Sequence, residues 1–226
     1  MTGRKIIVVG HRANSGRIVL WYSRMGVRYV EVDVREGPGG PVVMHGPPGT
    51  RRATPIGRLW AWLDYKLFYR DPLLRPQPLD RWLGLVSERL GVEGVLLDLK
   101  TPVSPDDLAM AVRRSGFSGK VMVSANDHRL LPPLRERLPG ALLIASFSVR
   151  PVRIVDCALQ SGAGGLGVRQ DLLDRELVEE AHQRGLVVST WTVNSVEEAR
   201  RVAGIGVDII ISDRPDLVFR ALGDEG

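Results

Sequence analysis

Short β-branched, apolar runs alternate with amphipathic, helix-compatible runs eight times along the 226-residue chain. The strand candidates are 5–10, 29–34, 94–100, 120–124, 141–146, 164–168, 187–191 and 207–212. Each is followed by a stretch able to hold a helix, and strands joined by helical crossovers pair in parallel. At about 28 residues per unit, eight βα units match a compact (β/α)8 barrel. The expected fold is therefore one α/β barrel over 1–226, with an elaborated loop at about 46–82 after the second strand. A doubly wound open sheet is the structural rival. It normally carries a GxGxxG phosphate turn after its first strand, which GHRANSG lacks. The sixth strand, within SGAGGLGV, is the least strand-like of the eight.

Helix starts are marked by Ser104 before Pro105-Asp106-Asp107, by Ser195 with Glu198 three residues on, and by Arg214-Pro215. Gly26, Gly91, Gly119, Gly140, Gly185 and Gly206 precede strands, where a helix C-terminus calls for a left-handed residue. A content of 44% hydrophobic and 25% charged residues supplies a sizeable core and excludes a disordered chain. No apolar run reaches transmembrane length, and MTGRKIIVVGHR lacks the apolar core and cleavage site of a signal peptide, so the expected location is the cytoplasm. The single cysteine, Cys157, excludes an internal disulfide and reads as a buried thiol in a helix.

The formal charge is +5, and residues 46–82 hold seven cations against three anions, so +4 of it lies there. Such a concentration suits an anionic partner, although charge clusters also serve simply as solvated faces. There is no zinc finger, basic zipper or RNA-binding aromatic signature, which argues against nucleic acid. Nothing in the pattern specifies an oligomeric state.

In a parallel barrel the C-terminal ends of the strands carry the chemistry. Those ends read His11-Arg12, Glu31 and Asp33, Asp98 and Lys100, Ser124 and Asn126, 191–194, and Asp213. In Val30-Glu31-Val32-Asp33-Val34 the alternation places both carboxylates on one face. Helices cover the outside of a barrel, so the valines take that side and Glu31 and Asp33 project into the mouth. Asp98, on the next strand, joins them. Three carboxylates without cysteine or an HExxH pattern suit a hard cation, Mg²⁺ or Ca²⁺. The competing arrangement is a salt bridge from Lys100 to Asp98 with no metal. His11 and His45 flank the cluster and have the side chain suited to proton transfer near neutrality. Arg12 and Lys100 are placed to hold an anionic, phosphoryl group. His182 reads as a helix-exterior residue and His128 as part of a helix N-terminal turn.

These residues spell a pattern. VVGHRANS, YVEVDVREGPGGPVVMHG, LLDLK, VMVSAND and STWTVNSVEEARRVAGIGVDIIISDRPDL, in that order, resemble the glycerophosphodiester phosphodiesterase family over nearly the whole chain. The resemblance implies a TIM barrel that hydrolyses phosphodiesters with a divalent cation. It implies His11 and His45 as the acid-base pair, Glu31, Asp33 and Asp98 as metal ligands, Arg12 and Lys100 as phosphate contacts, and Trp191 as a pocket wall. Three departures stand out. HRANSGRIV lacks the family's Pro-Glu-Asn segment, with Asn14 taking over part of that role as a substrate contact. Gly46 follows His45 where the family has Asp. The third ligand, commonly Glu, is Asp98, which is similar to the sphingomyelinase D branch of the superfamily.

Three functions follow as expectations. The first is hydrolysis of glycerophosphodiesters to glycerol phosphate and an alcohol. The second is a phospholipase D-like lyase acting on lysophospholipids, and the third is a non-catalytic phosphodiester-binding barrel. Residues 59–82 hold six of the thirteen aromatics (Trp60, Trp62, Tyr65, Phe68, Tyr69 and Trp82) among cations. They are expected to cover the barrel mouth, either packed on its rim or in peripheral contact with a membrane surface.

Overall fold

The computed structural model describes residues 5–37, 39–45, 76–89 and 91–223. Its strands are β1 (Ile7–Gly10), β2 (Tyr29–Gly37), β3 (Gly40–Val43), β4 (Gln77–Pro78), β5 (Gly94–Leu99), β6 (Lys120–Ala125), β7 (Leu142–Phe147), β8 (Gly165–Arg169), β9 (Val187–Trp191) and β10 (Ile209–Ser212). The described helices are α1 (Gly16–Arg24), α2 (Leu79–Arg89), α3 (Pro105–Arg114), α4 (Leu131–Arg137), α5 (Ile154–Gln160), α6 (Arg175–Gln183), α7 (Val196–Ile205) and α8 (Pro215–Leu222). Every strand of the sheet except β3 and β4 pairs in parallel with two neighbours, and pairing of β1 with both β10 and β2 closes the ring. The result is an eight-stranded parallel TIM barrel.

All eight expected strands form. β2 runs past the expected end to Gly37 because its last four residues pair antiparallel with β3, and β3 in turn holds β4. The least strand-like segment becomes β8, where small residues leave room for neighbours: a Cβ on Gly167 would lie 3.1 Å from the Trp191 ring.

Two apolar layers lie on either side of the barrel wall. Outside, Val30, Val32 and Val34 join the large core beneath the helices. Inside, Val9, Leu96, Met122, Ile144, Ile209 and Ile211 fill the barrel. Burying side chains of this size contributes about 1.5–3 kcal/mol each, and the inner layer is also the floor on which the polar mouth stands.

The local signals act largely as expected. Ser104 and Ser195 accept hydrogen bonds from the N–H groups of Asp107 and Glu198, capping α3 and α7. The Glu198 carboxylate accepts from the N–H of Asn194, one residue before the cap. Gly206 ends α7 with φ 98°. Gly119 and Gly140 are not left-handed, contrary to expectation. Gly116 (φ 65°) turns the chain after α3, and Gly119 is instead needed for close approach, since a Cβ there would lie 2.6 Å from the Glu93 carbonyl.

Trp82 also departs from expectation. It does not cover the mouth but is buried in α2 with Leu79, Leu83 and Val86, a helical 0, 3, 4, 7 spacing that faces the core. The expected loop thus ends at β4 and α2. Trp60, Trp62, Tyr65, Phe68, Tyr69 and the rest of 46–75 lie outside the described residues.

Candidate active site

The turn after β1 is built around Glu31. Gly10 admits the Tyr22 ring, which a Cβ would meet at 2.5 Å, and the Tyr22 hydroxyl donates to the His11 carbonyl at 2.8 Å. Arg12 follows with φ 52°, a conformation that costs a non-glycine residue roughly 1–3 kcal/mol and concentrates at functional sites. That turn aims the Arg12 N–H at Glu31 Oε2 (2.6 Å) and the Ala13 N–H at the Glu31 carbonyl (2.7 Å).

Strand register brings the acids together. Asp33 pairs with Asp98 across β2 and β5, and Asp98 with Ser124 across β5 and β6, so the three side chains share one level of the mouth. Carboxylate oxygens of Glu31, Asp33 and Asp98 lie within 4.8 Å of one another. Ser124 donates to Asp98 Oδ1 at 2.9 Å. Lys100 pairs with Asp98 and stands 3.1 Å from Asp33 Oδ1. Among the described residues no ion pair joins it to Glu31. The lysine bridge considered from sequence therefore exists, and it reaches Asp98 and Asp33 but not Glu31.

Electrostatics sharpen the contrast between the acids. Burial, reinforced by the negative charges of Asp33 and Asp98, pushes the Glu31 carboxyl well above the usual range, against the pull of Lys100 and the Arg12 N–H. Burial also acts to raise Asp33, but a hydrogen bond from His45, the charge of Lys100 and the Asn14 amide outweigh it and hold Asp33 well below the usual range. Burial pulls Lys100 down, and Asp98, Asp33 and Glu31 more than reverse it.

Glu31 Oε1 is buried without a hydrogen-bond donor, and Asp33 Oδ1, equally buried, faces the Lys100 ammonium at 3.1 Å. Buried carboxylate oxygens without a full set of donors are costly in a protein interior. Together with an all-oxygen donor set, they fit a hard divalent cation held by Glu31, Asp33 and Asp98.

Each histidine at the mouth leans on a carboxylate. His11 Nδ1 lies 2.8 Å from Asp213 Oδ1, and His45 Nδ1 lies 2.8 Å from Asp33 Oδ2. With an ionised partner, Nδ1 carries the proton and donates. His11 Nε2 is then the nitrogen turned towards Glu31, 3.9 Å from Oε2. Asn194 supports the first pair by donating to Asp213 Oδ2 (2.9 Å) and accepting from the Asp213 N–H (3.0 Å). A cavity of about 150 Å³ opens here, lined among others by His11, Arg12, Glu31, Asp98, Lys100 and Trp191.

The remaining sequence-derived positions divide. Asn14 is buried behind the acids, donating to Asp33 Oδ2 (2.7 Å) and accepting from the Asp33 N–H (2.9 Å). It positions the Asp33 carboxylate. His182 is not a plain helix-exterior residue, since its Nε2 meets Asp208 Oδ2 at 2.8 Å at the far end of the barrel. His128 begins a short 3-10 turn and binds the Ser146 carbonyl at 2.9 Å. Cys157 packs half-buried against the core.

Sequence reasoning did not assign Asp213 a partner, and it overlooked Arg35. Arg35 continues the β2 alternation on the same face as Glu31 and Asp33, and is buried. Burial pulls its guanidinium down while Asp33 and Asp98 oppose that. The i+2 spacing was the available signal.

Residues 87–217 match the model of the glycerophosphoryl diester phosphodiesterase family. The chain belongs to this family. A glycerophosphodiester phosphodiesterase of Arabidopsis thaliana is 27% identical over 154 residues, 65% of this chain and 46% of that protein. Another, from Caldanaerobacter subterraneus, is 26% identical over 125 residues, 55% of this chain and 51% of that one. The matched stretch thus spans about half the length of these relatives. In fold, the barrel superposes on an Oleispira antarctica phosphodiesterase solved with the product sn-glycerol-3-phosphate. Its TM-score is 0.74 at 21% identity, covering 96% of each chain.

Proposed function

We propose that this chain is a metal-dependent phosphodiesterase that hydrolyses glycerophosphodiesters to glycerol phosphate and an alcohol. The observation that carries the reading is the convergence of Glu31, Asp33 and Asp98 within 4.8 Å, with His11 and His45 at the same mouth. Family membership supports the substrate class, and sn-glycerol-3-phosphate is the product named for the Oleispira protein.

A Mg²⁺ or Ca²⁺ ion held by the three carboxylates would supply positive charge against the phosphoryl oxygens. Arg12 and Lys100 add donors for the non-bridging oxygens, and Trp191 walls the pocket. One histidine takes the proton of the attacking hydroxyl or water as its oxygen bonds to phosphorus. The other delivers a proton to the alkoxide as the old P–O bond breaks. Asp213 and Asp33 hold the two rings so that the remaining nitrogen of each can do this work.

Small glycerophosphodiesters in the cytoplasm are the substrates proposed, with lysophospholipids as the extension that Asp98 invites. Among the described residues no helix is long and apolar enough to cross a membrane.

The test is ³¹P NMR of the products formed from glycerophosphocholine. Glycerol phosphate as the end product, directly or through a cyclic phosphate formed by the vicinal glycerol hydroxyl, is the expected result. Tight binding without turnover at any metal concentration would make this a binding barrel instead.

A further inference from the structure

A second and larger cavity, about 540 Å³, opens at the opposite end of the barrel, where the strands begin. Its size falls within the roughly 300–1,000 Å³ of small-molecule sites. Its wall includes Ile7, Leu142, Val187 and Ile209, and these rest on the apolar layer that fills the barrel. Lys5, two residues before β1, and Lys120, the first residue of β6, stand exposed at its rim, and these two strands are three places apart around the ring.

Cations outnumber acids in the lining among the described residues. The lining contains one carboxylate, Asp208, which is buried and already accepts from His182 Nε2 and from the Val188 N–H, both at 2.8 Å. Among the described residues no ion pair involves Lys5 or Lys120. Each lysine can lay its methylene stem along the apolar wall and keep its ammonium at the rim. An apolar well beneath two ammonium groups, with the one acid of its described lining held by His182 and the Val188 N–H, complements an anionic head on a single hydrocarbon tail. A compact polyanion fits it poorly, because the wall below the rim offers few donors.

We propose that the N-terminal mouth of the barrel binds a medium-chain fatty acid, its carboxylate at Lys5 and Lys120 and its tail on Ile7, Leu142 and Val187. The site is separate from the catalytic mouth and does not rest on the activity proposed there.

Isothermal titration of the full chain at neutral pH with decanoate below its micelle concentration, decanol and inorganic phosphate tests the proposal. Decanoate is expected to bind saturably. Decanol, and decanoate on the Lys5→Gln/Lys120→Gln double variant, should bind more weakly by roughly tenfold or more, about 1.4 kcal/mol. Arg12→Gln, at the other mouth, should leave decanoate affinity unchanged. No saturable decanoate binding, unchanged affinity in the lysine double variant, phosphate binding as tight as decanoate, or loss of binding in Arg12→Gln would each overturn it.

Discussion

His11 and Asp213, 202 positions apart in the chain, meet at 2.8 Å between Nδ1 and Oδ1. β1 and β10 are adjacent parallel strands, and the two residues extend past their ends. The carboxylate fixes which His11 nitrogen faces the cavity. Asp213→Asn keeps the shape and loses that control, so turnover should fall on the order of 10² with a smaller change in KM. A kinetic comparison of the two proteins checks this.

The same pair shapes acid stability. Burial acts to raise the Asp213 carboxyl, but the hydrogen bond and charge of His11 and the Asn194 amide bring it below the usual value. A depressed carboxyl stabilises the fold above its unfolded pKa, and the contribution is lost as pH falls through the folded value. Thermal melts from about pH 6 down to about pH 3 should therefore show a shallower acid loss for Asp213→Asn than for the wild type.

Histidine replacements separate chemistry from packing. His11→Ala and His45→Ala should each lower turnover by about 10² or more while the fold survives. His182→Ala should leave turnover intact. It removes one hydrogen-bond partner of buried Asp208, which keeps the Val188 N–H, so stability should fall by about 1 kcal/mol, read by urea denaturation. Near-normal turnover of His45→Ala on several substrates would break the pairing and turn attention to His128.

Asn14→Ala removes two hydrogen bonds to buried Asp33. Outer contacts of this kind typically change metal affinity by about 10- to 100-fold. The variant should need correspondingly more Mg²⁺ or Ca²⁺ for half-maximal activity, whereas loss of a substrate contact would raise KM at saturating metal.

Gly167→Ala probes the pocket wall from behind. The added methyl would lie 3.0–3.1 Å from Ile144, Ser189 and Trp191. Overpacking of this kind costs about 1–3 kcal/mol, and displacement of the Trp191 ring should alter KM more than kcat, with a shift in tryptophan fluorescence.

Much of this was legible in the sequence for a physical reason. The period-2 alternation of 30–34 together with parallel strands places Glu31 and Asp33 inside the mouth, and their neighbour Asp98 follows from strand order. Contacts such as His11 with Asp213 and Asn14 with Asp33 depend on how turns aim side chains across strands, which local pattern does not encode. Trp82 was legible and missed. Its composition placed it with the aromatics of 59–82, while its spacing from Leu79, Leu83 and Val86 places it in a helix facing the core. The antiparallel β3–β4 ribbon was half-legible, since 41–44 reads as extended but its partner at Gln77–Pro78 lies more than thirty residues on.

The claim that Glu31, Asp33 and Asp98 hold a required cation is tested most directly by chelation. Glycerophosphocholine turnover should vanish in excess chelator and return with Mg²⁺ or Ca²⁺. Glu31→Gln should need at least about tenfold more metal for the same recovery, without loss of the folded barrel by circular dichroism. Full turnover of the wild type in excess chelator would contradict the three-carboxylate site.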